Sequence, residues 1–136
     1  MRIKTLLSSL LLLGFAMISC SKETDQGITG RYIGTQNFGL GQVSSAISMQ
    51  LSQQGGTLTG NVTPPFQTTV AAISNGEITG GQFRFNAAYG DLTYHYEGTI
   101  QNAKLTGSFE PLGCFNSASG ENCPTDSNGT FTATKQ

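Results

Sequence analysis

Few side chains in this chain are equipped for chemistry. His95 is the single histidine. Alternation places it with Gln82, Arg84 and Glu97 on the outward face of neighbouring strands, with Arg84 expected directly opposite it. Catalysis needs a nucleophile, a base and an orienting group gathered in a cleft. A convex outer wall supplies no cleft, so these four read as a solvated cross-strand cluster. No G-x-S-x-G, H-E-x-x-H or phosphate-loop spacing occurs. Asp126-Ser127-Asn128-Gly129 begins like a calcium loop, but the remaining ligand ladder is missing. Asp, Asn and Gly are also what a turn wants before a strand. The expectation is therefore no enzyme activity, no catalytic residue, no metal and no cofactor. The aromatic residues carry more. Tyr32, Phe83, Phe85, Tyr94, Tyr96 and Phe109 share one alternation phase. An apolar wall bearing phenol hydroxyls suits a small apolar or mixed ligand, and it equally suits a packed core. Pro64-Pro65-Phe66 is a stiff loop with an apolar tip, either a protein contact or a strand breaker with Phe66 tucked over the end of the fold.

The amino end gives an address. Basic Arg2 and Lys4 precede a thirteen-residue apolar run, 6–18, and then small Ser19. A membrane-spanning helix needs about 20 residues, so the run is a signal-peptide core and stands outside the fold. Met17-Ile18-Ser19-Cys20 resembles the lipobox of bacterial lipoproteins, with Met17 where Leu is usual. The resemblance implies that residues 1–19 are removed and that Cys20 becomes an acylated amino terminus. Several acyl chains anchor stably where a single chain binds only marginally. The other reading is ordinary cleavage nearby, leaving Cys20 a free thiol. Ser21-Lys22-Glu23-Thr24-Asp25 lacks an Asp directly after the cysteine, the signal that retains many lipoproteins at the inner membrane. It resembles the Lys-plus-acidic tag that directs lipoproteins to the surface in one group of Gram-negative bacteria, and it is also simply a polar tether. The expected location is the cell envelope, lipid-anchored at the outer membrane.

With Cys20 taken by lipid, Cys114 and Cys123 are the one possible intrachain pair, and an oxidising envelope permits their disulfide. Closing a loop of about ten residues is worth roughly 2–3 kcal/mol on loop-entropy grounds. A zinc site there lacks its other ligands, since tetrahedral zinc wants four. Without the leader the chain has five basic and eight acidic side chains. No basic stripe exists, which removes the electrostatic footprint of a nucleic-acid binder.

These residues must be positioned by strands. No helical period follows the leader. Short alternating runs separated by turn signals recur instead, which is the all-β pattern. Strands are expected over 28–36, 44–53, 57–63, 68–74, 77–86, 92–100, 104–110 and 129–134. Gly55-Gly56, Asn75-Gly76, Tyr89-Gly90 and Gln101-Asn102 are the expected tight turns, Asn75-Gly76 being a strong type I′ signal. The turns set registers: Leu51 opposite Gly60, Met49 opposite Val62, Phe85 opposite Tyr94, Phe83 opposite Tyr96, Tyr96 opposite Gly107 and Tyr94 opposite Phe109. Ile78 and Phe83 break phase, so a β-bulge is expected at Gly80-Gly81. The inward set is Tyr32, Ile47, Met49, Leu51, Leu58, Val62, Phe83, Phe85, Tyr94, Tyr96, Leu105, Phe109 and Phe131. Gly30, Gly60 and Gly107 on that face are expected to leave room. Eight antiparallel strands hide their edges by closing the first against the last. An up-and-down barrel over 27–136, beyond a tether at 20–26, is the first expectation, and a two-sheet sandwich is the alternative. The stretch 112–128 would lie over one end.

Gly27-Ile28-Thr29-Gly30-Arg31-Tyr32 and Gly56-Thr57-Leu58-Thr59-Gly60 resemble the opening strands of avidin-type barrels. The resemblance implies an eight-stranded meander. Biotin binding does not carry over, because those sites box biotin with tryptophan and this chain has none; Tyr32 stands where the first Trp would fall. The expected function is a non-enzymatic, lipid-anchored envelope protein whose barrel binds a small apolar or mixed ligand. The alternative is a protein-interaction module, an inhibitor or accessory subunit of an outer-membrane complex, with a filled barrel.

Overall fold

The structure is a computed structural model and describes residues 27–39, 43–64, 69–112 and 128–136. It has eight strands: β1 (Gly30–Phe38), β2 (Val43–Gln54), β3 (Thr57–Thr63), β4 (Ala71–Thr79), β5 (Gln82–Tyr89), β6 (Leu92–Gln101), β7 (Lys104–Leu112) and β8 (Gly129–Lys135). Each pairs antiparallel with the next, and β1 pairs with β8, so the sheet is a closed meander barrel. Closure leaves no strand edge exposed. The all-β barrel is thus established, and the sandwich is not adopted.

Alternation sets the core. Tyr32, Ile47, Met49, Leu51, Leu58, Val62, Phe83, Phe85, Tyr96, Leu105, Phe109 and Phe131 are all buried on the inner face, and Tyr94 is partly buried against them. Ile28 is fully buried too. Its N–H donates to Gln53 Oε1 at 3.2 Å, and Gln53 N–H donates to Thr29 Oγ1 at 2.9 Å.

The turn at Gly55-Gly56 gives the expected pairing of Leu51 with Gly60 and Met49 with Val62. Two other signals exchange roles. Asn75-Gly76 is not a turn: β4 runs straight through it with a one-residue bulge, visible as a register shift between Ser74 and Glu77 against β5. Gly80-Gly81 is not a bulge but the hairpin turn, with Thr79 opposite Gln82. A type I′ turn needs positive φ at both central residues, and Gly80 and Gly81 supply 58° and 79°. Asn75 supplies positive φ at the bulge, 50°. Gly76 there allows close approach, because a Cβ on it would lie 1.9 Å from the Leu58 carbonyl oxygen. The bulge flips the phase inside β4, so Ala71 and Ile78 both reach the core.

Two further turns fall one residue later than expected, at Gly90-Asp91 and Asn102-Ala103. Pairing therefore shifts by two residues. Phe85 faces Tyr96 rather than Tyr94, and Phe83 faces Gly98 rather than Tyr96. Tyr96 faces Phe109 rather than Gly107, and Tyr94 faces Pro111 rather than Phe109. A shift of two keeps every side chain on its face. The glycines do not open interior space. A Cβ on Gly60 or Gly107 would lie 1.9 Å or 2.0 Å from a carbonyl oxygen of the adjacent strand, so they let neighbouring backbones close in.

The barrel has unlike ends. The turns 55–56, 80–81 and 102–103 gather at one, the hairpin end, where Gly27 also enters. The connections β1–β2, β3–β4, β5–β6 and β7–β8 gather at the other, the loop end.

Candidate functional site

Alternation brings the inner aromatic residues into one ring cluster. Phe85 and Tyr96 stack with centroids 5.0 Å apart, and Tyr96 stacks on Phe109 at 5.6 Å. Phe83 lies 6.1 Å from Phe85, and Phe131 sits 5.7 Å from Tyr96. Tyr94 meets Phe109 at 6.0 Å, edge to face. Such pairs contribute about 0.5–1.5 kcal/mol each beyond their burial. Five of the six residues expected to form a ligand wall, Phe83, Phe85, Tyr94, Tyr96 and Phe109, therefore touch one another. Tyr32 takes part in none of the ring pairs among the described residues.

Toward the loop end the interior turns polar. Tyr89 and Tyr96 hydroxyls lie 3.2 Å apart in the core. Burial pushes the Tyr96 phenol up to about 12. It pushes the Tyr89 phenol up as well, helped by the neighbouring Tyr96. Burial also raises the phenols of Tyr32 and Tyr94. Each stays neutral at physiological pH and keeps its proton for donation. Gln36 and Ser45 face each other across β1 and β2. They are 2% and 6% exposed. Gln36 Oε1 and Ser45 Oγ are buried with no hydrogen-bond partner, and so, in the hairpin half of β1, is Tyr32 OH. An orphaned buried polar group costs about 1–3 kcal/mol, so these atoms mark where something polar is wanted. Around the same end stand exposed Val43, Val70, Leu92 and Leu112.

Sequence reasoning missed Gln36, Ser45 and Tyr89. A signal existed for the first two: Gln36 is in phase with Tyr32, and Ser45 with Ile47 and Met49. Tyr89 was hidden by its assignment to a turn.

The outer cluster is rearranged. Arg84 faces Glu97, not His95, and His95 faces Asn86, because the β5–β6 turn falls one residue later than expected. Arg84 instead pairs with Glu77, Nη2 to Oε2 at 2.6 Å and Nε to Oε2 at 3.0 Å. His95 Nδ1 and Asn86 Oδ1 lie 2.8 Å apart. Glu77, Arg84, Glu97, Gln82, Thr99 and Ser108 line a shallow, open trough of about 670 Å³ on this wall. So the wall is not uniformly convex. Among the described residues no three His, Cys, Asp or Glu side chains group to hold a metal, and no helix is long and apolar enough to cross a membrane. Cys20, Cys114, Cys123, Asp126, Ser127, Pro65 and Phe66 lie outside the described residues.

No protein-family model matches this sequence, and no curated protein matches it.

Proposed function

We propose that this is a non-enzymatic, lipid-anchored lipoprotein of the outer membrane whose barrel takes a small apolar or mixed molecule at its loop end. The address rests on the lipobox-like Met17-Ile18-Ser19-Cys20 behind a signal-length apolar run. The binding role rests on one observation: the buried, unpartnered oxygens of Gln36 and Ser45 on facing positions of the inner wall. A barrel serving only as a filled scaffold gains nothing from such atoms. Gly27 enters at the hairpin end, so the chain that follows Cys20 joins the barrel at the end opposite the loop end.

A second reading is favoured by a separate observation. Val43, Val70, Leu92 and Leu112 expose apolar surface around the loop end, between 39% and 53%, while rings fill the middle of the barrel. That combination suits a protein-interaction module, an inhibitor or accessory subunit docking through its loop end.

Metabolic labelling with palmitate tests the address. Label should enter the exported chain and disappear in Cys20→Ala, which should then leave the membrane fraction. An unlabelled wild-type chain refutes the anchor. Binding is tested by asking whether a small molecule co-purifies with the protein from its own host.

A further inference from the structure

We propose that the molecule held at the loop end presents an uncharged, hydrogen-bond-donating head group, received by Gln36 Oε1 and Ser45 Oγ, on an apolar body. This deepens the ligand-binding reading and rests on it.

Gln36 Oε1 is an acceptor only, and Ser45 Oγ accepts and donates. Both are buried, unpartnered and opposite each other across β1 and β2. Two neighbouring free acceptors call for a group carrying N–H or O–H, such as a primary amide, a urea or an alcohol. On the facing wall Tyr89 and Tyr96 share one hydroxyl–hydroxyl bond. Two hydroxyls sharing one bond retain a spare proton, so a head-group carbonyl would also find a donor.

The described wall offers a charged head group no counter-charge. Among the described residues, the buried polar side chains other than tyrosine are Gln36 and Ser45 alone, with no buried Lys, Arg, His, Asp or Glu. A carboxylate or ammonium entering this interior would lose its water without gaining a counter-charge, which is costly. The apolar body has its own surface. Ala71, Ile73 and Ala87 present short or branched apolar side chains on β4 and β5, and Phe38 packs edge-on against Phe109 at 5.0 Å.

The test uses the exported protein in phosphatidylcholine vesicles, with hexanamide, hexanoate and hexylammonium as probes at pH 7. The readout is tyrosine fluorescence. The chain has four tyrosines and no tryptophan, and all four tyrosines stand on the barrel strands. Hexanamide should bind about tenfold more tightly than either ion, the ratio expected from one or two well-placed neutral hydrogen bonds. Gln36→Leu should weaken hexanamide binding about tenfold and leave the two ions no tighter than before. Ser45→Ala, a smaller change, should do so in part and guards against a misfolded first variant; melting curves check both. Equal or tighter binding of hexanoate or hexylammonium overturns the head-group assignment while leaving the ligand reading standing. So does a hexanamide affinity that both substitutions leave unchanged. Silence from all three probes, with a molecule still co-purifying from the host, overturns the assignment alone. Silence from the probes with nothing co-purifying overturns both, and leaves a buried water as the bridge between Gln36 and Ser45.

Discussion

Removing the Tyr96 hydroxyl tests whether the polar layer inside the barrel is a paired one. Tyr96 is 2% exposed and Tyr89 is 8% exposed, with their oxygens 3.2 Å apart. In Tyr96→Phe the ring stays and keeps its stacking on Phe85 and Phe109. The change deletes one hydrogen bond, whose net contribution is about 0.5–1.5 kcal/mol, and leaves the Tyr89 hydroxyl without its partner. Together these predict a loss of about 1–2 kcal/mol, and Tyr89→Phe should lose a similar amount. The double variant removes both polar atoms and leaves none orphaned, so it should lie within about 0.5 kcal/mol of wild type. The cycle then closes with a coupling energy of about 2 kcal/mol or more, well above the few tenths expected of independent sites. Urea unfolding followed by circular dichroism reads all four proteins at an unchanged slope. Two single losses that simply add in the double variant would refute the pairing. Two neutral single variants would show that the hydroxyls are hydrated.

Other outcomes follow from the same structure. Tyr96 has its phenol raised to about 12 from an ordinary value of 10.0, so its folded state favours the protonated form. Its contribution is fully present below pH 10 and is lost as pH rises through 12. Two units correspond to roughly 2–3 kcal/mol, so urea midpoints should hold steady from pH 7 to 9 and fall between pH 10 and 12. A flat profile to pH 12 would contradict the burial of that phenol. Ala103 holds φ at 59° in the β6–β7 turn, a left-handed conformation costly for any residue with a Cβ. Ala103→Gly should therefore raise stability by about 0.5–1 kcal/mol, and Gly81→Ala, at φ 79°, should lower it by about 1 kcal/mol. Opposite signs in thermal melts would show the turns to be misplaced. Cys114 and Cys123 should resist alkylation until a reductant is added, and immediate double alkylation would exclude the disulfide.

The barrel was legible in the sequence because its signal is parity. Tyr32, Met49, Phe85 and Phe109 declare the inner face through alternation alone, and a register error of two residues leaves that face intact. The turns were less legible because Asn-Gly and Gly-Gly both offer positive φ. What decided between Asn75-Gly76 and Gly80-Gly81 is non-local: β3 lies close enough to Gly76 that a Cβ there would strike the Leu58 carbonyl. Local sequence carries no trace of that neighbour. The outer cluster followed the turn, so Arg84 went to Glu77 and Glu97 instead of His95. The polar atoms within the barrel were legible in phase but not in consequence. Gln36 and Ser45 sit at inward positions in plain alternation, yet only the closed wall reveals that neither oxygen has a partner.

A lipid-anchored barrel carrying a small uncharged molecule, as proposed above, has a distinctive mass. Native mass spectrometry of the protein extracted from its own host tests this most directly. The expected result is a chain beginning at Cys20, heavier by its acyl groups, and a further small molecule that is lost on gentle activation and whose retention falls in Gln36→Leu. A chain of acylated mass alone, identical for wild type and Gln36→Leu, would contradict it.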